Sequence, residues 1–240
     1  MSQIKVEYIN HCGDDLSVVD AARTSFDKQS ELEHDYYDEE GGLCWDEKGH
    51  LKVSDVKLIN YLAKHKHFSP FNHSFISVRV KAPVFVARQL VKHKFMPWNE
   101  VSRRYVKDDP EFYTPESWRK AAENVKQGSS EEAVDISVID HIENVEGNCI
   151  YRPEEVNKAA LETYNTLLDL GVCAEEARMV LPQSMMTTWV WSGTLGAFCD
   201  MLKLRLKKDT QYETRIVAEQ VADIVKELFP VSYKALLEEN

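Results

Sequence analysis

The sequence lacks the features that mark several large protein classes. No apolar run approaches the roughly 20 residues that cross a bilayer, so no membrane partner is expected. The opening residues, Met1-Ser2-Gln3-Ile4-Lys5-Val6-Glu7, carry no apolar secretory core, which predicts a cytoplasmic protein. The five cysteines (12, 44, 149, 173, 199) are odd in number, scattered and never spaced as Cys-x-x-Cys. They read as reduced thiols rather than a disulfide framework or a zinc site. None stands beside a candidate base, so a thiolate nucleophile has little support. No Gly-x-Gly-x-x-Gly follows a strand pattern and no Gly-x-x-x-x-Gly-Lys-Ser/Thr occurs. A nucleotide would therefore not be held in a Rossmann or P-loop manner. Broad positive charge is also missing: 29 Lys+Arg face 40 Asp+Glu, for a net −11. That balance argues against a general nucleic-acid coat, which needs wide basic surface.

The positive charge that is present is concentrated. Arg79 to Arg104 holds seven Lys/Arg (79, 81, 88, 92, 94, 103, 104) against Glu100, a local +6 that leaves −17 for the rest. A small phosphorylated ligand needs only such a local patch.

With 240 residues, 43% of them hydrophobic, the chain can bury one sizeable core, and no repeat or clean linker divides it. Ile4 to Ile9 alternates as a strand, and a short helix follows over Leu16 to Ala22. Ser54 is placed to cap a helix running to about His65. Ile76, Val78 and Val80 alternate with Ser77, Arg79 and Lys81 as a second strand. Pro83 suits the start of a helix predicted from Val84 to about Lys94, which Pro97 stops. Pro153 opens an amphipathic helix that Gly171 closes, and a third short helix carries Arg178. Thr187 to Trp191 reads as a strand, Ser192 as the cap of the next helix, and Thr210-x-x-Glu213 as a capping box for the last one. Two acidic stretches, near 29–50 and 108–152, read as insertions on one α+β domain spanning 1–240; the first reads as a solvated loop. The methionines at 179, 185, 186 and 201 read as core.

Within the basic window, Lys92-His93-Lys94 admits two readings. Cations at a helix C-terminus are favoured by the macrodipole at typically ~0.3–1 kcal/mol, and a water-facing cap would need nothing more. The polar run that follows, with Asn99, Glu100, Ser102 and Arg104, favours a ligand instead, because hydroxyl and guanidinium donors beside free backbone N–H groups grip phosphate. Gln89 and Glu100 are suited to the edge of a base-like ring. Arg178 and Arg205, each flanked by apolar residues, either reach solvent or hold a buried anion. His65, His67 and His73 are close in sequence but lack a partner pattern for a metal, so no metal site is expected.

These residues, in this order, resemble the flavin-dependent thymidylate synthases. That family's signature is Arg-His-Arg, seven residues, then Ser; here Lys92-His93-Lys94 is followed at the same spacing by Ser102. Ser69-Pro70-Phe71-Asn72-His73, Lys81 to Gln89, Asn99 to Tyr105, Ala21 to Ser25, Ala177 to Pro182 and Leu204-Arg205 stand in family-like order. The resemblance implies an α+β fold with a mostly antiparallel sheet flanked by helices, and a homotetramer with shared sites. It implies methylation of deoxyuridine monophosphate (dUMP) to thymidylate (dTMP), with methylenetetrahydrofolate as carbon donor and FAD, reduced by NADPH, as hydride carrier. It places Gln89, Glu100, Ser102, Arg104, Arg178 and Arg205 on the nucleotide. Arg205 would lie against the uracil as the activating group, with Ser102 as a ligand in the catalytic pocket rather than a nucleophile. His67, Lys92, His93, Lys94, Asn99, Thr194, Asp200 and Gln211 would stand on the flavin side.

This chain departs from the family pattern at four of those positions. Lysines replace both signature arginines, exchanging a planar fork for a point charge. Thr194 and Asp200 stand where flavin-contacting asparagines are expected. The rival readings are a metal-dependent nucleotide phosphohydrolase and a non-catalytic nucleotide- or nucleic-acid-binding module.

Overall fold

A computed structural model describes residues 3–38, 40–123, 128–137, 139 and 151–238. Strand β1 (Lys5–Cys12) leads through helix α1 (Asp15–Arg23) to the hairpin β2 (Glu33–Tyr37) and β3 (Leu43–His50), then to α2 (Val53–Lys64). β4 (Phe75–Pro83) runs directly into α3 (Val84–Leu90), and after a turn the chain returns as β5 (Trp98–Glu100). A second hairpin, β6 (Trp118–Ala121) and β7 (Ser129–Val134), precedes α4 (Pro153–Asp169) and α5 (Ala174–Ala177). β8 (Met186–Thr194), α6 (Leu195–Arg205), α7 (Tyr212–Leu228) and α8 (Pro230–Tyr233) follow. The main sheet has the order β1-β4-β8-β5 and is antiparallel throughout, so the α+β architecture read from the sequence holds.

Period-2 alternation sets the buried face of that sheet. On β4, Ile76, Val78, Val80 and Ala82 are wholly buried, opposite Gly193, Trp191, Trp189 and Thr187 of β8. Gly193 is closely covered: an added Cβ would stand 3.2 Å from two Met96 side-chain carbons, which would have to give way. Ser77 lies on the other face, where its hydroxyl meets that of Ser192 at 2.9 Å. Phe198 and Leu202 of α6 and Val217, Val221 and Val225 of α7 complete one continuous core. Each such side chain stabilises the fold by roughly 1.5–3 kcal/mol relative to exposure.

Several local expectations are corrected. The acidic stretch 29–50 is not a loop throughout: it contains the β2–β3 hairpin, turned where Asp38 accepts the N–H of Gly42 at 2.7 Å and Gly41 takes φ +81°. Acidic side chains hid an alternating pattern that includes Tyr36 and Trp45. Part of the stretch 108–152 is the β6–β7 hairpin; Cys149 and its neighbours lie outside the described residues. Helix α2 starts at Val53 with Lys52, not Ser54, in the cap position. Ser192 belongs to β8, which continues to Thr194, and Thr194 caps α6 by accepting from the Ala197 N–H at 3.2 Å. The Thr210/Glu213 pair forms no capping box. Gln211 is the cap residue, the Thr210 hydroxyl donates to the Leu204 carbonyl at 3.0 Å, and Glu213 pairs with Arg119 at 2.5 Å. Met186 and Met201 are core, but Met179 is exposed.

Candidate active site

The site is made where β4 hands over to α3 and the chain comes back as β5. Pro83 ends β4 with extended backbone and occupies the cap position of α3, where its missing N–H costs nothing. The helix predicted to reach Lys94 stops at Leu90. The His93 N–H bonds back to the Leu90 carbonyl at 3.1 Å, and Phe95 takes a left-handed conformation, φ +60°. In the turn that follows, His93 is half-buried. Lys92 and Lys94 on either side stay exposed.

His93 meets Arg205, which α6 delivers from its last turn. The Arg205 Nε–H donates to His93 Nε2 at 3.1 Å, and its Nη2 donates to the Gln89 carbonyl at 3.3 Å. An imidazole nitrogen that accepts this bond carries no proton, so the proton of His93 sits on Nδ1. Burial, with the Arg205 charge adding to it, holds the His93 pKa below its ordinary value. Burial likewise lowers that of Arg205. Among the described residues no carboxylate pairs with Arg205; both its partners are neutral. Beside it, the side-chain oxygen of Gln89 is buried without a hydrogen-bond partner. A half-buried cation without a counter-charge and an orphaned buried acceptor together ask for an anionic ligand that also carries a donor.

A cleft of about 590 Å³ opens alongside, lined among others by Arg88, Glu100, Ser102, Arg103, Arg178 and Thr187. β5 and the turn after it supply Glu100 and Ser102, and the short turn after α5 supplies Arg178, which is exposed. Arg104 folds back so that its Nε reaches the Ser102 hydroxyl at 3.3 Å and its guanidinium covers the Tyr105 ring at 5.1 Å. Glu100 is fixed on both sides: the Thr187 hydroxyl donates to Oε1 at 2.8 Å and Trp98 Nε1 donates to Oε2 at 3.0 Å. The volume lies within the range of small-ligand sites, roughly 300–1,000 Å³. The candidate nucleotide residues thus fall into two neighbouring groups, Gln89 with Arg205 and Glu100 with Ser102, Arg104 and Arg178.

The candidate flavin residues are more dispersed. Lys92 and Lys94 make no ion pair among the described residues, and two free ammonium groups flanking a neutral imidazole fit a diphosphate. Asn99 lies on β5 between Trp98 and Glu100. The Thr194 hydroxyl is engaged, donating to Asn72 at 2.8 Å while capping α6. Asp200 pairs with Lys203 at 3.4 Å, so its charge is partly answered within α6. His67 is exposed at the end of α2 and stacks on Tyr61, ring centroids 6.0 Å apart. Gln211 stands between Thr210 and Tyr212, both of which line a second cleft of about 630 Å³. That cleft's arginines are already engaged, Arg119 with Glu213 and Arg215 with Glu219. Sequence reasoning did not single out Thr187, Trp98 or Arg103. Arg103 was visible in the charge window, whereas Thr187 is 87 residues from Glu100 and only strand pairing joins them.

A half-buried histidine after α3, an arginine from α6 with no carboxylate partner among the described residues, and a polar cleft beside the edge strand β5 have the makings of an enzyme that handles a small phosphorylated substrate. Comparison with known proteins narrows this. Residues 7–231 match the family model described as thymidylate synthase complementing protein. A flavin-dependent thymidylate synthase of Kosmotoga olearia is 37% identical over 232 residues, covering 97% of this chain and 89% of the relative. One of Thermus thermophilus is 35% identical over 233 residues, covering 97% and 75%. The solved structure of a UMP/dUMP methylase, PolB from Streptomyces cacaoi bound with 5-Br dUMP, superposes with a TM-score of 0.74 at 30% identity, covering 98% of this chain and 95% of that one. The chain belongs to the flavin-dependent thymidylate synthase family.

Proposed function

We propose that this chain is a thymidylate synthase that makes dTMP from dUMP, with methylenetetrahydrofolate as carbon donor and FAD, reduced by NADPH, as cofactor. The observation that carries the site assignment is Arg205, a half-buried cation with no acidic partner among the described residues, beside the orphaned Gln89 oxygen. When bound, the flavin supplies the hydride that turns the transferred one-carbon unit into a methyl group.

The chain's own residues bind and orient. Ser102, Arg104 and Arg178 hold the phosphate, and the Gln89 oxygen accepts an N–H of the pyrimidine edge. Arg205, set against the ring, stabilises negative charge as it develops there, because a donor fixed in advance by His93 and the Gln89 carbonyl needs no reorganisation. Glu100 accepts a donor of the nucleotide. Lys92 and Lys94 neutralise the flavin diphosphate, with His93, Asn99, His67, Thr194, Asp200 and Gln211 on the same side. None of the described cysteines lines the cleft. Cys199 is buried in the core, where burial pushes its thiol up to about 12, far from a reactive thiolate.

The same reading includes a cytoplasmic homotetramer with shared sites. Met179, which lines the cleft, is 76% exposed, and Phe95 and Tyr105 are 89% and 76% exposed; light scattering measures the assembly. The primary test is the visible spectrum of protein mixed with FAD and desalted, before and after adding dUMP, with UMP in parallel because a similar solved protein is a UMP/dUMP methylase. A retained flavin spectrum that shifts with nucleotide, followed by dTMP formation with folate and NADPH, supports the proposal. Metal-dependent phosphate release, or nucleotide binding without turnover, overturns it.

A further inference from the structure

We infer that Thr187 and Trp98 are positioning residues that set Glu100 as a fixed, two-oxygen acceptor for the nucleotide. The inference deepens the proposed function, since it rests on Glu100 contacting the substrate. Thr187 is 6% exposed, and its hydroxyl hydrogen is spent on Glu100 Oε1 at 2.8 Å, so it has none left to give a ligand. Trp98 Nε1 takes the other oxygen at 3.0 Å. The indole cannot swing away easily: it stacks on Trp189, centroids 4.4 Å apart, and meets Trp191 edge-on at 5.8 Å.

Trp98 reaches Glu100 along β5 itself, two residues away, whereas the β5–β8 pairing, which sets Glu100 opposite Trp189, brings Thr187 to the other oxygen. A carboxylate offers about four lone-pair sites, so one donor on each oxygen leaves each free to accept again. The acceptor is therefore aimed before the ligand arrives, on a strand rather than on a mobile side chain. A site fixed this way favours a nucleotide that presents an N–H or O–H to Glu100 and disfavours one that leaves the carboxylate unpaired.

Steady-state kinetics on Thr187→Val, Thr187→Ser, Trp98→Phe and Glu100→Ala, together with FAD titrations, test this. Thr187→Val keeps the shape and loses the donor, and Trp98→Phe keeps the stacking and loses the N–H. Each should raise KM for dUMP about tenfold with kcat within about twofold, the pattern of lost binding shared by ground and transition states. Thr187→Ser should restore KM, and FAD affinity should not move. In a Glu100→Ala background, which leaves Thr187 no acceptor there, Thr187→Val should change KM no further. Unchanged KM in both donor-deleting variants overturns the inference. So does a loss that serine does not rescue, that weakens FAD equally, or that persists undiminished in the Glu100→Ala background. A wild-type protein that neither binds nor turns over dUMP would instead remove the functional reading beneath it.

Discussion

Arg205 donates its Nε–H to His93 Nε2 at 3.1 Å, across 112 positions of sequence. This pairing of a cation with a neutral ring joins the last turn of α6 to the turn after α3, and it lasts only while the imidazole stays unprotonated.

It follows that acid should loosen the protein through His93. Its folded pKa lies below the ordinary 6.5, so below that pH the unfolded chain binds more protons and stability falls with falling pH. The contribution is complete above pH 6.5 and erodes as the pH drops through the window below it. His93→Gln keeps an acceptor but cannot titrate. Melting temperatures across pH 5 to 7 should fall towards acid less steeply for this variant than for the parent.

Arg205→Ala should leave the protein folded, since its contacts are one ring nitrogen and one carbonyl, yet lower dUMP affinity about ten- to a hundredfold, the value of charge-assisted hydrogen bonds. Isothermal titration with circular dichroism as the fold control measures both. Unchanged affinity and turnover would take Arg205 out of the site.

The exchange Lys92→Arg with Lys94→Arg should tighten FAD, by roughly tenfold if one further charge-assisted hydrogen bond forms. The point charges of the native lysines hold a diphosphate without bidentate geometry. Equal FAD affinities in fluorescence titrations of parent and double variant would remove the argument.

Asp55 is fully buried and paired with Arg23, and it also accepts from the Ser30 hydroxyl. Asp55→Ala would strand the guanidinium of Arg23, whose Nε already lacks a partner, and should cost about 3–5 kcal/mol. Urea denaturation checks this; a loss below about 1 kcal/mol would mean that Arg23 finds solvent at once.

The sheet was legible because alternation at Ile76, Val78 and Val80 survives in any context that buries one face. The helix ends were less so. Nothing local forbids a helix through Lys94; the chain leaves it after Leu90, and the turn that follows holds His93 against Arg205, a residue brought there by the tertiary fold. Ser192, Thr210 and Glu213 likewise looked like caps by type and spacing, but strand continuation and the partnership with Arg119 claimed them. The candidate site residues were named from a shared motif order, and the structure groups Gln89 with Arg205 and Glu100 with Ser102. It also reveals the supports no linear pattern carries, Thr187 foremost.

β5 is three residues long and lies at the edge of the sheet, paired with β8 alone. Glu100 and Ser102 therefore hang on one of the thinnest ladders in the molecule, while Val78 and Val80 sit in its middle. Local opening of such an edge takes far less free energy than global unfolding, so the Val101 amide, bonded to the Thr188 carbonyl, should exchange with deuterium well before those of the central strand. A nucleotide binding only the closed edge would add about 2.7 kcal/mol to it at a hundred times its Kd. Nucleotide binding would therefore register as slower exchange at the Val101 amide, with Glu100 already held by Thr187 and Trp98 before the ligand arrives.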